Sequence, residues 1–366
     1  MKKLLAMIMA VATACSLAVT SFAQTTDNKN EITVGTDENG IILNSETVLS
    51  PGNTYKFPLN IKNGNQVSPL DNATAALYSI KLEAVKGKTS LESLKVIKGS
   101  ENHYLEIKVN AGWSAKQTNV EYNLKLTNKK DSKDVMNGSV EFLTGYKTAS
   151  DDYINSLSAG EDITVVVNAP VFTAKQLEKI AKLNDYKKVT FTDGNWSYNV
   201  NVTDMESVNM LFNTSAIKDI ITKFDQHDFK FLSFPAGTSF SRGELKIDVA
   251  DIAEDFEGKF FTYRYYKGVL TKVQNTFNKD EDTISMQVGD LGRFVICDKE
   301  IADGTVVEEG FGGSDNVTKP EVKPEVKPET PNKPNPETGS TSMPIAAAAL
   351  AMISLAGMAI LSKKMR

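Results

Sequence analysis

"HYLEIKV", residues 103–109, decides the fold class. Leu105, Ile107 and Val109 alternate with Tyr104, Glu106 and Lys108, so the two sets stand on opposite faces of an extended strand. A helix would need its apolar positions three and four apart. Six more runs between Glu31 and Thr148 follow the same rule: "EITVG", "TYKFPLNI", "LYSIKLEAV", "SLKVIKG", "VEYNLKL" and "GSVEFLTGY". Turn-forming pairs punctuate them, among them Pro51-Gly52, Gly64-Asn65 and Asn137-Gly138.

Alternating runs at spacings of roughly 10–15 residues read as an immunoglobulin-like β-sandwich over residues 28–148. The Cys–Trp–Cys signature of antibody domains is absent, and such a fold specifies no function by itself. "TASDDYINSLSAGED" breaks the alternation and places a boundary near residues 150–160. An α+β, strand-rich domain of β-sandwich type is expected over 160–305. "DITVVVN" reads as a strand, and "TAKQLEKIAKL" as a helix capped by Thr173 with Leu177, Ile180, Ala181 and Leu183 on one face. A hairpin turns at Asp193-Gly194. "SAIKDIITKF" predicts a second amphipathic helix through Ile217, Ile220, Ile221 and Phe224. Strands resume in "FKFLSFPAG", "ELKIDVADI", "FFTYRYYKG", "VLTKVQNTF", "TISMQVG" and "GRFVICD".

The run from Phe231 to Asp298 resembles a strand-rich terminal module of extracellular clostridial proteins. The resemblance is carried by "FPAGTSFSRGELKIDV", "FFTYRYYKGVLTKV" and "TISMQVGDLGRFVICDKEI". It implies an accessory, non-catalytic surface module.

The two ends speak about address. Lys2 and Lys3, an apolar run from Leu4 to about Val19, and Ser21-Phe22-Ala23 form a secretory signal peptide over 1–23, with its cut between Ala23 and Gln24. Cys15 follows Ala12-Thr13-Ala14, a weaker context for the rival lipoprotein processing. At the other end, residues 343–361 carry no charge and measure ~28 Å as a helix, about one hydrocarbon thickness. Lys363, Lys364 and Arg366 follow in the tail 363–366 and favour the cytoplasmic side. A plain single-pass membrane anchor would share these two features.

Upstream stands Asn335-Pro336-Glu337-Thr338-Gly339. With the transmembrane span and basic stub, residues 335–366 resemble the cell-wall sorting signal of Gram-positive bacteria, a Leu-Pro-any-Thr-Gly pentapeptide before an apolar segment. The resemblance implies sortase as a partner and covalent attachment to peptidoglycan after Thr338. Asn335 departs from the usual Leu and leaves the sortase class open. Pro336 fixes its own backbone and keeps Asn335 extended, which suits a peptide lying in a groove. Residues 316–334 hold a proline every few positions ("TKPEVKPEVKPETPNKP"), too polar to build a core; they read as a disordered, extended wall-spanning spacer.

Composition narrows the partners. The 366 residues carry a net charge of −5, and removing both ends takes five basic residues (Lys2, Lys3, Lys363, Lys364, Arg366) and no acidic ones, leaving −10. That argues against nucleic acid, whose recognition needs a basic face. The membrane is met only transiently, through the carboxy-terminal segment. Cys297 is the one cysteine outside the signal peptide, so no intrachain disulfide is expected; its alternation with Val295 predicts a buried, inert thiol.

Catalytic signatures are missing. His103 and His227 are far apart, and no metalloprotease, phosphate-loop or nucleophile-elbow spacing occurs. "NKDEDT" (278–283) lacks the Gly and distal Glu of a calcium loop and reads as a hairpin turn. Tyr263 and Tyr266 are one residue too close for the strand motif of haem-binding wall proteins. No cofactor and no metal are expected, and the chain is read as a non-enzyme. In "FFTYRYY", Phe261, Tyr263 and Tyr265 face one way, and Phe260, Thr262, Arg264 and Tyr266 the other. Arg264 and Tyr266 are therefore the candidate ligand surface, for a host protein or a glycan. The leading expectation is a wall-anchored adhesion or binding protein; the alternatives are a surface glycan-active enzyme, its accessory module, or a stalk without a ligand.

Overall fold

The computed structural model describes residues 30–307. The expected signal peptide and its Ala23–Gln24 cut, the spacer and the sorting signal lie outside the described residues. The described chain is mainly β. Its first half contains β1 (Glu31–Val34), β2 (Val48–Leu49), β3 (Thr54–Asn63), β4 (Gln66–Pro69), helix α1 (Asn72–Ala76), β5 (Tyr78–Lys86), β6 (Leu91–Lys98), β7 (His103–Val109), β8 (Thr118–Asn128) and β9 (Val135–Thr144). All seven expected runs are strands; the short β2 and β4 carry no alternation that announces them.

These strands join in the order β5-β8-β9-β1-β3-β7-β6, with β2 beside β9 and β4 beside β3. The string closes over one core: Ile32, Phe57, Leu105, Ile107, Val120, Leu124 and Phe142 meet in a single apolar cluster. In β7 the buried residues are Leu105, Ile107 and Val109, as alternation requires. Gly64-Asn65 makes the two-residue β3–β4 turn, with Gly64 at φ 57°. Asn137-Gly138, by contrast, is not a turn. It lies inside β9, and the β8–β9 connection falls at residues 129–134. Glycine is required there for another reason: a Cβ on Gly138 would stand 2.0 Å from the Ile32 carbonyl oxygen, where β1 crosses onto β9.

The second half contains α2 (Asp151–Ser156), β10 (Ile163–Thr164), β11 (Val171–Phe172), α3 (Ala174–Leu183), β12 (Val189–Thr192), β13 (Trp196–Val200), β14 (Val208–Asn209) and α4 (Lys218–Lys223). It continues with β15 (Phe229–Ser233), β16 (Ser239–Asp248), β17 (Phe261–Tyr266), β18 (Val269–Val273), β19 (Thr276–Asn278), β20 (Thr283–Asp290), β21 (Arg293–Cys297) and β22 (Thr305–Val306). One sheet runs β10-β12-β13-β16-β20-β19 and another β15-β21-β17-β18-β22. Leu245, Ile247, Ile284 and Met286 of the first meet Phe294 and Ile296 of the second in one core, which also takes Leu177 and Ile180 of α3. The opposite face of the five-stranded sheet buries Tyr263, Tyr265, Val295 and Cys297 beneath Ile220 of α4. β21 is thus covered on both faces, which is why "FVIC" is a continuous apolar run.

Helix α3 starts as expected. Thr173 accepts from the Gln176 backbone and Gln176 returns a bond to Thr173, a complete capping box. Its crossover between β10 and β12 makes these two strands parallel. Several expectations need correction. "DITVVVN" supplies only the two-residue β10; the chain then bends, bridging Val166 to Ala169 and exposing Val166. The boundary segment forms α2, whose Ile154 belongs to the second core. The second helix is only Lys218–Lys223, and Ile221 points to solvent. "VLTKVQNTF" divides between two sheets, because Asn275 turns inward to donate to the Phe260 carbonyl (3.0 Å) and the Thr262 hydroxyl (2.8 Å). The strands of 231–298 likewise divide between both sheets and pair with β13, so that run does not stand as a separate module.

Candidate functional site

Strand β17 places Tyr263 and Tyr265 toward the core beneath α4, and alternation turns Thr262, Arg264 and Tyr266 to the other face. The structure treats these three differently. Thr262 is fully buried under Asn275. Arg264 reaches across to the end of β20, where its two terminal nitrogens donate to the two carboxylate oxygens of Asp290 in a fork-to-fork pair. Gly292 makes room for this: a Cβ there would lie 3.0 Å from the guanidinium. Because β17 and β20 belong to different sheets, the pair clamps one sheet to the other.

Around the clamp lies an open cleft of about 670 Å³. Arg242 and Glu244 of β16, Gln287 of β20, the Gln274-Asn275 link and Phe294 line it beside Arg264. Its chemistry is that of charges and amides. Arg264 is already neutralised by Asp290, so it is a structural tie before it is a free ligand donor. Tyr266 does not line this cleft. It stands at the strand end, 56% exposed, with the Lys267 ammonium 5.0 Å from its ring centre. Across the sheet it pairs with Val269, which pairs with the exposed Val306. Arg264 and Tyr266 thus share the outer face of β17, but only Arg264 lines this cleft, and its guanidinium is committed to Asp290.

Other sequence candidates are placed as follows. Tyr263 is buried and Tyr266 exposed, because a spacing of three puts them on opposite faces. His103 opens β7 in the first half; His227 stacks on Phe229 and meets Phe224 edge to face in the second. Burial and the Lys98 ammonium hold the His103 imidazole below its ordinary range. The acidic 278–283 stretch is the turn between β19 and β20, and among the described residues no cluster of three metal-ligating side chains occurs. Cys297 is fully buried, its Sγ 3.1 Å from the Lys299 carbonyl, and burial pushes the thiol up to about 12.

One residue escaped the sequence reading. Trp113, in the β7–β8 connection, is 41% exposed and stacks on Tyr146 with ring centres 6.2 Å apart. An indole beside glycine in the polar loop "NAGWSAKQ" is the signal that points to it.

No protein-family profile matches the chain, and no curated protein does. Among solved structures, a chimeric titin Z1Z2 bearing an exogenous decorin peptide is 14% identical, covering 32% of this chain and 95% of its own, at a TM-score of 0.18. The GspB Siglec domain is 9% identical, covering 50% and 94%, at 0.21. The protocadherin gamma B4 extracellular domain is 8% identical, covering 60% and 31%, at 0.22. Scores this low carry no argument about fold or function.

Proposed function

We propose that this chain is a non-catalytic surface protein, exported by residues 1–23 and linked to Gram-positive peptidoglycan through Thr338. The carrying observation is the register of Asn335–Gly339, an uncharged 343–361 span and a basic 363–366 stub in one chain with an export signal. In this reading a sortase thiolate attacks the Thr338 carbonyl, the Thr338–Gly339 bond breaks, and Gly339 leaves with a new amino terminus. An amine of the wall precursor then takes the acyl group and frees the thiol. The proline-rich 316–334 segment reaches about 60 Å in extended form, enough to hold the body off the wall.

The displayed body is two binding units, 28–148 and 160–305. The first is assigned as an immunoglobulin-like sandwich, an assignment supported by strand order. Lettering β1, β3, β5, β6, β7, β8 and β9 as A to G turns the observed string into C-F-G and A-B-E-D, the two layers of that fold. Its first strand bridges the layers, antiparallel to β3 and parallel to β9. A Thr338→Ala chain expressed in a sortase-bearing host tests the anchoring. It is expected to leave the muralytic-enzyme-released wall fraction and collect in the membrane fraction. Unchanged wall attachment of the variant would overturn the reading.

A further inference from the structure

Between the two halves lies a second cleft of about 340 Å³, bordered by Trp113 from the first and by Glu206, Ser207, Asn209, Thr238 and Ser239 from the second. Its volume is at the lower end of ligand pockets, room for one or two small rings. The Trp113 loop is fastened on every side. The Tyr146 phenol donates to the Gly112 carbonyl (3.1 Å), and Gln117 donates to the Tyr146 carbonyl (2.7 Å). Asn209, only 2% exposed, donates to the Trp113 carbonyl (3.0 Å) and accepts from the Leu211 backbone (2.9 Å). Thr238 in turn donates to the Asn209 carbonyl (2.8 Å). The indole lies nearly parallel to the Tyr146 ring, 14° between planes.

The fold has the means to bury indoles, as Trp196 shows between Phe212 and Phe234. Here a large apolar ring is instead held half in water, against a cleft whose other walls carry hydroxyls and one carboxylate among the apolar Ala115, Met205, Val208 and Ala236. A pre-fixed aromatic plate loses little entropy on binding. Its partner must offer a flat apolar face with hydrogen-bonding groups around the rim. A purely apolar ligand would strand the polar wall, and an anion would meet Glu206. A pyranose ring satisfies both halves: its C–H face stacks on the indole and its equatorial hydroxyls meet Glu206, Ser239 and their neighbours.

We propose that the Trp113 cleft is a carbohydrate-binding subsite for a neutral oligosaccharide. The site goes beyond surface display and holds whether or not the chain is wall-linked, so a failed Thr338 experiment leaves it standing. The full chain is titrated with cellohexaose and with the hexamer of N-acetylglucosamine, reading tryptophan emission and heat. Trp196 is buried, so Trp113 reports the event. At least one hexamer is expected to shift the emission. Trp113→Ala should weaken that binding about tenfold or more. Trp113→Phe should retain part of it, Glu206→Gln should weaken it, and Tyr266→Ala should change nothing. Unaltered Trp196 emission and circular dichroism in the variants show that the fold persists. Failure of both hexamers to bind overturns the proposal, as does equal affinity in Trp113→Ala. Binding of oligolysine in place of either sugar, a cation over the indole beside Glu206, overturns it too.

Discussion

Arg264 and Cys297 sit on the two faces of neighbouring strands and answer opposite questions. Arg264 shares a fork-shaped ion pair with Asp290, each side chain about a third exposed (29% and 33%). Solvent screens such a pair, so Arg264→Ala should lower unfolding free energy by only about 1 kcal/mol in urea titration. Arg264→Lys should recover less than the full amount, because an ammonium cannot make two parallel bonds. Cys297 is dry. In the unfolded chain a thiol ionises from about 9, while the buried one keeps its proton up to about 12. The folded state therefore binds the proton more tightly. This contribution to stability is intact below pH 9 and declines as pH rises towards 12. Cys297→Ala should flatten that decline, and peptide mapping should find Cys297 unalkylated by iodoacetamide at neutral pH until the chain unfolds. Which face Arg264 occupies was readable from alternation; that Asp290 claims it was not, since the two residues are 26 apart and in different sheets.

Elements were legible where a local rule acts alone. Period-two alternation found every long strand of the first half, and Thr173 as cap marked where α3 begins. The rules failed where a distant segment intervenes. Asn137-Gly138 has the chemistry of a turn, yet β1 needs that glycine inside β9, with its Ile32 carbonyl at the place a Cβ would fill. Gly138→Ala should cost about 1–3 kcal/mol, the range of an overpacked core position, and should free the β1 amides to exchange with solvent. If hydrogen exchange of Ile32 and Thr33 is unchanged, the close crossing is not what fixes that glycine. "SAIKDIITKF" held only in part: Ile217, Ile220 and Phe224 pack on the sheet as the spacing predicts, but α4 is a short helix and Ile221 stays outside.

At the scale of the molecule, sequence alone separated two strand-rich halves, and it could not pair the strands of the second half; its reading of the ends falls outside the described residues. β16 and β20 complete a sheet begun by β12 and β13, while β15, β17 and β21 build the other, and only tertiary packing makes that division. The Trp113 cleft was hidden for the same reason, since Asn209 closes on a loop 96 residues away. In the proposed function this body is carried to the cell surface and joined to the wall at Thr338. Its most direct test is the intact mass of the chain released from native cell walls by a muralytic enzyme. The expected species is a polypeptide beginning at Gln24 and ending at Thr338, with a peptidoglycan fragment attached to that carboxyl. A chain that still runs to Arg366 and carries no wall adduct would contradict it.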